Sequence, residues 1–153
     1  MRGEISLQGA KNAILPILAA ALVSQKPVHL SNCPCIGDVD CMLDILRSIG
    51  SCVTQEGRHI HIDSKTAGDY DIPDDSVKQV RSSIVFLGAV LARFGRAVIT
   101  YPGGCEIGLR PIDLHLKALR RMGVEIEEER GRLHCICRDL KGALIHLDYP
   151  SVG

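Results

Sequence analysis

DCMLDILRSIG, residues 40–50, and DLHLKALRRMG, residues 113–123, are two copies of one predicted helix. In each copy the leucines lie three residues apart on one helix face. The opening aspartate suits an N-terminal cap or first turn, and the final glycine suits a left-handed helix end. At one constant offset the identical pairs are Asp40 and Asp113, Leu43 and Leu116, Leu46 and Leu119, Arg47 and Arg120, and Gly50 and Gly123. The chain therefore contains a duplicated helix.

The segments around this helix repeat as well. Each copy is followed by a predicted hairpin, SCVTQEGRHIHID and VEIEEERGRLHCICR, turning at Glu56-Gly57 and Arg130-Gly131. Each is preceded by an apolar helix and a short strand, in LAAALVSQKPVHLSNCP and LGAVLARFGRAVITYPG. The pattern predicts an α/β (α+β) chain in which the order helix, strand, helix, strand, strand occurs twice.

These repeats predict the boundaries of the units. The first unit covers about residues 4–63, a polar linker about 64–76, and the second unit about 77–138. A further strand is predicted in ALIHLD, residues 143–148, and opens a third unit over about 140–153.

Composition limits the classes of partner. The chain has 153 residues, of which 18 are basic and 18 acidic, so no overall field favours nucleic acid. The start of the chain lacks a signal-peptide pattern, and no apolar run is long enough to cross a membrane. We expect a cytoplasmic protein with neither nucleic acid nor a membrane as partner.

The seven cysteines are predicted to be thiols, because a cytoplasmic chain does not retain a disulfide framework. Cys33 with Cys35, and Cys135 with Cys137, are spaced C-x-C, whereas zinc sites usually show C-x-x-C. Cys135 and Cys137 are interpreted as residues on one face of a half-buried strand. His59 and His61 alternate in the same way and are interpreted as strand residues, so no metal site is expected.

The two copies differ most in the loop between the strand and the second helix. Residues 34–40 of the first copy are replaced by the longer 102–113 in the second, and the added residues surround Cys105. Gly103 and Gly104 can turn backbone amides toward a ligand, and Arg110 supplies a fork of donors for phosphate or carboxylate. Cys105 near this cation and a helix N-terminus is predicted to be a reactive thiol. A neutral surface insertion with a solvated Arg110 is the alternative.

Two further cations are predicted near the start of the apolar helices. Lys11 in QGAKNAILP and Arg81 in VKQVRSSIVFLG lie just before or within the first helical turn of each unit. Helix N-termini attract anions, so Lys11, Arg81 and Arg110 are predicted to converge on one anionic ligand if the pseudo-symmetry brings these ends together. The alternative for Lys11 is an ordinary surface lysine.

Taken together, these motifs resemble a known enzyme family. Four motifs occur in the order found in the UDP-N-acetylglucosamine 1-carboxyvinyltransferases, which belong to the enolpyruvyl transferase superfamily. These motifs are GAKNA with Lys11 and Asn12, VRSS with Arg81, PGGCEIGLRP with Cys105 and Arg110, and the DLH of residues 113–115. The resemblance implies an inside-out α/β barrel built from three β-α-β-α-β-β units. By this resemblance, we expect the chain to hold two of the three units of the first domain and not to include the second domain.

The resemblance also implies an activity. The family transfers the enolpyruvyl group of phosphoenolpyruvate to the 3'-hydroxyl of UDP-N-acetylglucosamine and releases phosphate. This is the first committed step of peptidoglycan synthesis, needs no cofactor or bound metal, and is inhibited by the epoxide antibiotic fosfomycin. The implied substrates are therefore phosphoenolpyruvate and UDP-N-acetylglucosamine.

By the same resemblance, individual residues acquire roles. Cys105 is the acid that protonates phosphoenolpyruvate, and Lys11, Arg81 and Arg110 hold its phosphate and carboxylate. Asn12 contacts the amino sugar, and Tyr149 stands where some family members have a lysine. The uridine end is formed by Pro111, Asp113, Leu114 and His115, and the diphosphate is approached by Ser151, Val152 and Gly153.

The missing parts limit the expected activity. The family's general-base aspartate belongs to the second domain, so we expect this chain alone to be inactive and to self-associate through an uncovered helix face. Two alternatives stay open: a shikimate-pathway enolpyruvyl transferase, and a free-standing, non-catalytic binding or regulatory domain.

Overall fold

The computed structural model describes residues 3–102 and 112–150, and the chain forms two compact units, Met1–Asp69 and Tyr70–Gly153. The first unit contains two helices and a three-stranded antiparallel sheet of order β1-β3-β2. Its elements are α1 (Lys11–Val23), β1 (Val28–Leu30), α2 (Gly37–Ser48), β2 (Cys52–Glu56) and β3 (His59–Asp63).

The core of the first unit lies between the two helices and one face of this sheet. Leu18, Leu43 and Ile62 are each fully buried, and burial of one such side chain contributes about 1.5–3 kcal/mol. His59 and His61 alternate with the buried isoleucines of β3, and the ring of His61 lies 4.2 Å from that of His29 on β1. The interpretation of both histidines as strand residues is confirmed.

The second unit has the same order of elements, with additions before its apolar helix. Its sheet is antiparallel in the order β4-β6-β5, and Asp71 forms a parallel bridge with Val98 at the free edge of β4. Its elements are α3 (Asp74–Gln79), a 3-10 helix (Arg81–Ile84), α4 (Val85–Phe94), β4 (Arg96–Thr100), α5 (Asp113–Arg121), β5 (Glu125–Glu129) and β6 (Arg132–Ile136). The mixed helix and sheet content confirms the predicted α/β class.

Two details of the predicted pattern are wrong. Residues 143–148 form no strand: their segment contacts α5 through the side chains of Asp148 and Tyr149 rather than through a ladder of backbone hydrogen bonds. In the first hairpin the turn consists of Gly57 and Arg58, because Glu56 still pairs with His59 at the end of β2. The second turn, Arg130 and Gly131, is where the sequence predicts it.

Candidate functional site

The start of α1 is held against the segment that follows β1. The Gly9 amide donates to the Asn32 carbonyl at 3.0 Å, and a Cβ on Gly9 would lie only 2.5 Å from that oxygen. A side chain at residue 9 would therefore push this segment away. Glycine at this position allows the close approach that places Lys11 and Asn12 at the first exposed turn of α1.

Lys11 is paired with a carboxylate. Its Nζ lies 2.5 Å from Oδ2 of Asp38, in the first turn of α2, and the side chain of Lys11 is 52% exposed. The pair brings the N-termini of α1 and α2 together with opposite charges. An anionic ligand at Lys11 would have to compete with Asp38, a partner that the sequence analysis missed and that no sequence signal identifies.

Arg81 opens the 3-10 helix that leads into α4, and its side chain is half-buried. Ser83, two residues later, is buried and donates its hydroxyl to the Val77 carbonyl at 3.2 Å. The turn that carries Arg81 is therefore tied to α3. Both cations lie in first helical turns as predicted, but in different units, so their convergence stays a prediction.

The sheet registers show that Lys11 and Arg81 do not occupy equivalent positions in the two units. Val28 pairs with Ile62 in the first unit, and Ala97 pairs with Cys135, the equivalent of Ile62, in the second, so Val28 and Ala97 are equivalent. The same offset relates the buried Leu18 to Leu87, and it matches Arg81 with Asn12 rather than with Lys11.

The loop that the sequence singles out begins at a fixed point. The Thr100 hydroxyl donates to the Gly131 carbonyl at 3.2 Å, and the Tyr101 hydroxyl donates to Oε2 of Glu128 at 2.9 Å. This hydrogen bond to Glu128 raises the pKa of Tyr101. The predicted site residues Cys105, Arg110 and Pro111 lie outside the described residues, as do Ser151, Val152 and Gly153.

Residues 148 and 149, which precede the predicted diphosphate stretch in the sequence, contact the start of α5. Asp113 is the first residue of this helix, and the Tyr149 hydroxyl lies 3.3 Å from each of its carboxylate oxygens. Lys117, one turn along α5, forms an ion pair with Asp148. Leu114 is half-buried and His115 is exposed. The side chains of Asp148 and Tyr149, which lie shortly before Ser151 in the sequence, thus contact the helix that carries the predicted uridine end.

The described cysteines Cys33, Cys35, Cys41, Cys52, Cys135 and Cys137 are all free thiols. Burial raises the pKa of Cys33 and Cys41, and it raises the pKa of Cys135 to about 11. Cys135 and Cys137 are both buried, which confirms their interpretation as half-buried sheet residues, although β6 itself ends at Ile136.

Other features of the described chain lie away from the predicted residues. A cavity of about 370 Å³ on the outer face of the first sheet is lined by His29, Thr54, Glu56, His59 and His61, among others.

Within residues 3–102 and 112–150, no three His, Cys, Asp or Glu side chains are grouped to hold a metal ion. In the same ranges no helix combines the length and apolarity needed to cross a membrane.

Comparisons with known proteins agree with the resemblance seen in the motifs. The family model described as EPSP synthase (3-phosphoshikimate 1-carboxyvinyltransferase) matches residues 1–153. UDP-N-acetylglucosamine 1-carboxyvinyltransferase 2 of Caldanaerobacter subterraneus subsp. tengcongensis is 50% identical over 99% of this chain and 36% of its own length. UDP-N-acetylglucosamine 1-carboxyvinyltransferase 1 of Carboxydothermus hydrogenoformans is 47% identical over 100% of this chain and 36% of its own.

Solved structures support the fold. The enolpyruvyl transferase NikO from Streptomyces tendae superposes with a TM-score of 0.79 at 23% identity, over 92% of this chain and 31% of its own. EPSP synthase from Acinetobacter baumannii superposes with a TM-score of 0.71 at 19% identity, over 98% and 35% of the two chains. This chain spans about a third of the length of the curated relatives it matches.

Proposed function

Because this chain belongs to the EPSP synthase family of enolpyruvyl transferases, we propose that it forms part of an enzyme that transfers enolpyruvyl from phosphoenolpyruvate to UDP-N-acetylglucosamine. The acceptor would be the 3'-hydroxyl, phosphate would be released, and the step would begin peptidoglycan synthesis in the cytoplasm. The resemblance that assigns this activity also implies susceptibility to fosfomycin.

The contact between Tyr149 and Asp113 carries this proposal. It brings residues 113–115, assigned to the uridine end, next to the segment that leads into residues 151–153, assigned to the diphosphate. One nucleotide-sugar ligand requires these two stretches to be neighbours. The two relatives at 47–50% identity, both named for UDP-N-acetylglucosamine, support the same choice of acceptor.

The residues of this chain can supply one half of the chemistry. Cys105 would deliver a proton to the methylene carbon of phosphoenolpyruvate, and the sugar hydroxyl would add to the neighbouring carbon to give a tetrahedral ketal. Loss of a proton from the new methyl group and loss of phosphate would complete the transfer. A positioned acid contributes roughly 100-fold to 10,000-fold to such a step.

The cations would stabilise charge during this sequence. Lys11, Arg81 and Arg110 would hold the phosphate and carboxylate, and charge-assisted hydrogen bonds of this kind strengthen as the phosphate leaves. Asn12, exposed beside Lys11, would contact the amino sugar. The second domain of the family would supply the base that activates the sugar hydroxyl, so this chain alone would be inactive.

Titration of the chain with UDP-N-acetylglucosamine, followed by amide NMR, tests the proposed acceptor site. We expect saturable shifts at residues 113–115, and Asp113→Asn should weaken binding at least about fivefold because a charged hydrogen-bond partner is lost. Asp139→Asn is the matched control, since Asp139 is exposed and pairs with Lys141 instead. Shifts produced by 3-phosphoshikimate and not by the nucleotide sugar would favour the shikimate branch.

Activity measurements address the remaining alternative. Phosphate release that depends on both substrates should be absent for this chain and should appear only in a longer polypeptide that supplies the second domain. Binding of neither phosphoenolpyruvate nor the nucleotide sugar, in this chain or in the longer polypeptide, would favour a non-catalytic domain.

A further inference from the structure

Residues 70–74, which we call the strap, are the first residues of the second unit and run along the edge of β4. The Val98 amide donates to the Tyr70 carbonyl and the Ile72 amide donates to the Val98 carbonyl, both at 2.9 Å. This short parallel pairing extends the sheet by one strand. Two backbone hydrogen bonds are a weak attachment by themselves, because short edge pairings open readily.

Arg132 on β6 reinforces this attachment from the neighbouring strand. Its guanidinium contacts both carboxylate oxygens of Asp71, with Nη1 at 3.2 Å from Oδ2, and Nη2 lies 3.4 Å from the Ile72 carbonyl oxygen. A bidentate contact between arginine and a carboxylate has geometric specificity that a single-point contact lacks. Arg132 therefore holds the strap in one register against the sheet.

The same guanidinium also reaches the next helix. Its Nε lies 3.3 Å from Oδ1 of Asp74, the first residue of α3, and these two atoms are shielded from solvent. A second cation completes the attachment at the other end, where the Arg96 guanidinium stacks 4.1 Å from the ring centroid of Tyr70. The guanidinium groups of Arg96 and Arg132 thus hold the strap at Tyr70, Asp71 and Asp74.

The attachment continues from α3 to the turn that carries Arg81. Val77 is fully buried in α3, and its carbonyl accepts the hydrogen bond from the Ser83 hydroxyl. The Ser83 amide in turn donates to the Val80 carbonyl at 3.0 Å, which closes the 3-10 turn that contains Arg81. A chain of contacts therefore leads from Arg132 through Asp74, Val77 and Ser83 to this turn.

We propose that Arg132 is a positioning residue for Arg81: by clamping the strap and the start of α3 to the sheet, it fixes the 3-10 turn that presents Arg81 to an anionic ligand. The ligand part of this inference rests on the proposed function. The contacts of Arg132 with Asp71, Ile72 and Asp74, which we call the clamp, lie within the second unit and do not depend on a ligand.

Amide hydrogen exchange tests the clamp. In Arg132→Gln we expect exchange at Ile72, Val98 and Ser83 to rise about tenfold, because local opening no longer breaks the charged contacts. Met122 in the last turn of α5 should change by less than about twofold. Arg132→Lys, which keeps the charge and loses the fork, should restore part of the protection.

Arg130→Gln is the matched control, because Arg130 lies in the same hairpin, is 91% exposed and pairs only loosely with Glu129 at 3.8 Å. It should leave all four amides unchanged. If Arg132→Gln does not fold, Asp71→Asn and Asp74→Asn remove the negative charges that the Arg132 guanidinium contacts. Unchanged exchange at Ser83, or an equal rise at Met122, would overturn the positioning role.

Titration with inorganic phosphate separates this inference from the proposed function. If wild-type protein binds phosphate and Arg81→Gln abolishes the binding, Arg132→Gln should weaken it about threefold or more. Unaltered phosphate binding in that variant would count against positioning of Arg81. If wild-type protein binds no phosphate, the proposed anion site fails, whereas exchange at Ser83 still decides whether Arg132 holds the turn.

Discussion

Gly50 and Gly123, at equivalent points of the two units, have the same φ of +95°, and a Cβ on either would lie 3.3 Å from a backbone carbonyl oxygen. The oxygens belong to Thr66 and Asp139, which are themselves related by the offset that relates the two glycines. The duplication therefore extends beyond the sequence identities to the way the chain leaves each second helix.

Replacing either glycine by alanine should destabilise its unit. Gly50→Ala and Gly123→Ala force a side chain into a left-handed conformation and against a carbonyl oxygen, so we expect a loss of about 1–3 kcal/mol in unfolding free energy. Gly88→Ala in α4 is the control, because no atom outside its chain neighbours and the backbone of its own helix lies within 4 Å of its Cβ position. Denaturant unfolding should show this control to be stabilised by about 0.5–1 kcal/mol.

Asp38→Asn should release Lys11 at little cost in stability. The pair is partly exposed, so we expect a loss of about 0.2–1 kcal/mol that shrinks with added salt. Phosphate affinity should rise, because the ligand no longer competes with the Asp38 carboxylate. Asp44→Asn, which removes the exposed pair with Arg47, is the control and should leave phosphate affinity unchanged. Equal phosphate affinities in wild type and Asp38→Asn would contradict the competition.

Cys135 should make stability fall at alkaline pH. Burial raises its folded-state pKa to about 11, above the usual 9.0, so the neutral thiol favours the folded state. This contribution is complete below pH 9.0 and is lost as the pH rises toward about 11. Wild type should therefore lose about 2–3 kcal/mol more than Cys135→Val across this range. The exposed strand residue Cys52, changed to valine, should leave the alkaline decline intact.

Alkylation should rank five of the seven thiols in three groups. Cys105, with Arg110 and a helix N-terminus nearby in sequence, should react first, and the exposed Cys35 and Cys52 should follow. The buried thiols with raised pKa, Cys33 and Cys135, should react last near pH 7, because little thiolate is present. Site-resolved mass spectrometry after a short iodoacetamide pulse measures this order. Labelling of Cys35 ahead of Cys105 would contradict the proposed cationic setting.

Much of the fold could be read from the sequence because its signals are local. The spacing of Leu43 and Leu46 indicates a helix face, Gly50 indicates a helix end, and the alternation in RHIHID indicates a strand. Each of these signals lies within a few residues of the chain. The same local signal misled at residues 143–148, because an apolar alternating segment forms a strand only where a neighbouring strand offers its edge.

The candidate site was harder to predict, because its partners are distant in the chain. Motif resemblance could single out Lys11, Arg81 and Asp113. Lys11 contacts Asp38 and Asp113 contacts Tyr149, whereas the turn that carries Arg81 is tied to α3 by the Ser83 hydroxyl. The identity of each partner as a polar residue carries no information about what it contacts. Arg132 likewise looks like an ordinary charged residue of an exposed hairpin until the strap is placed beside β4.

By itself, the sequence determined the repeated order of elements, the family and the residues available for enolpyruvyl chemistry, because these depend on periodicity and on motifs that are contiguous in the chain. The tertiary structure decided which charges meet. Ion pairs such as Lys11 with Asp38 and Arg132 with Asp71 form between residues far apart in sequence, and a Coulomb interaction depends on separation in space rather than along the chain.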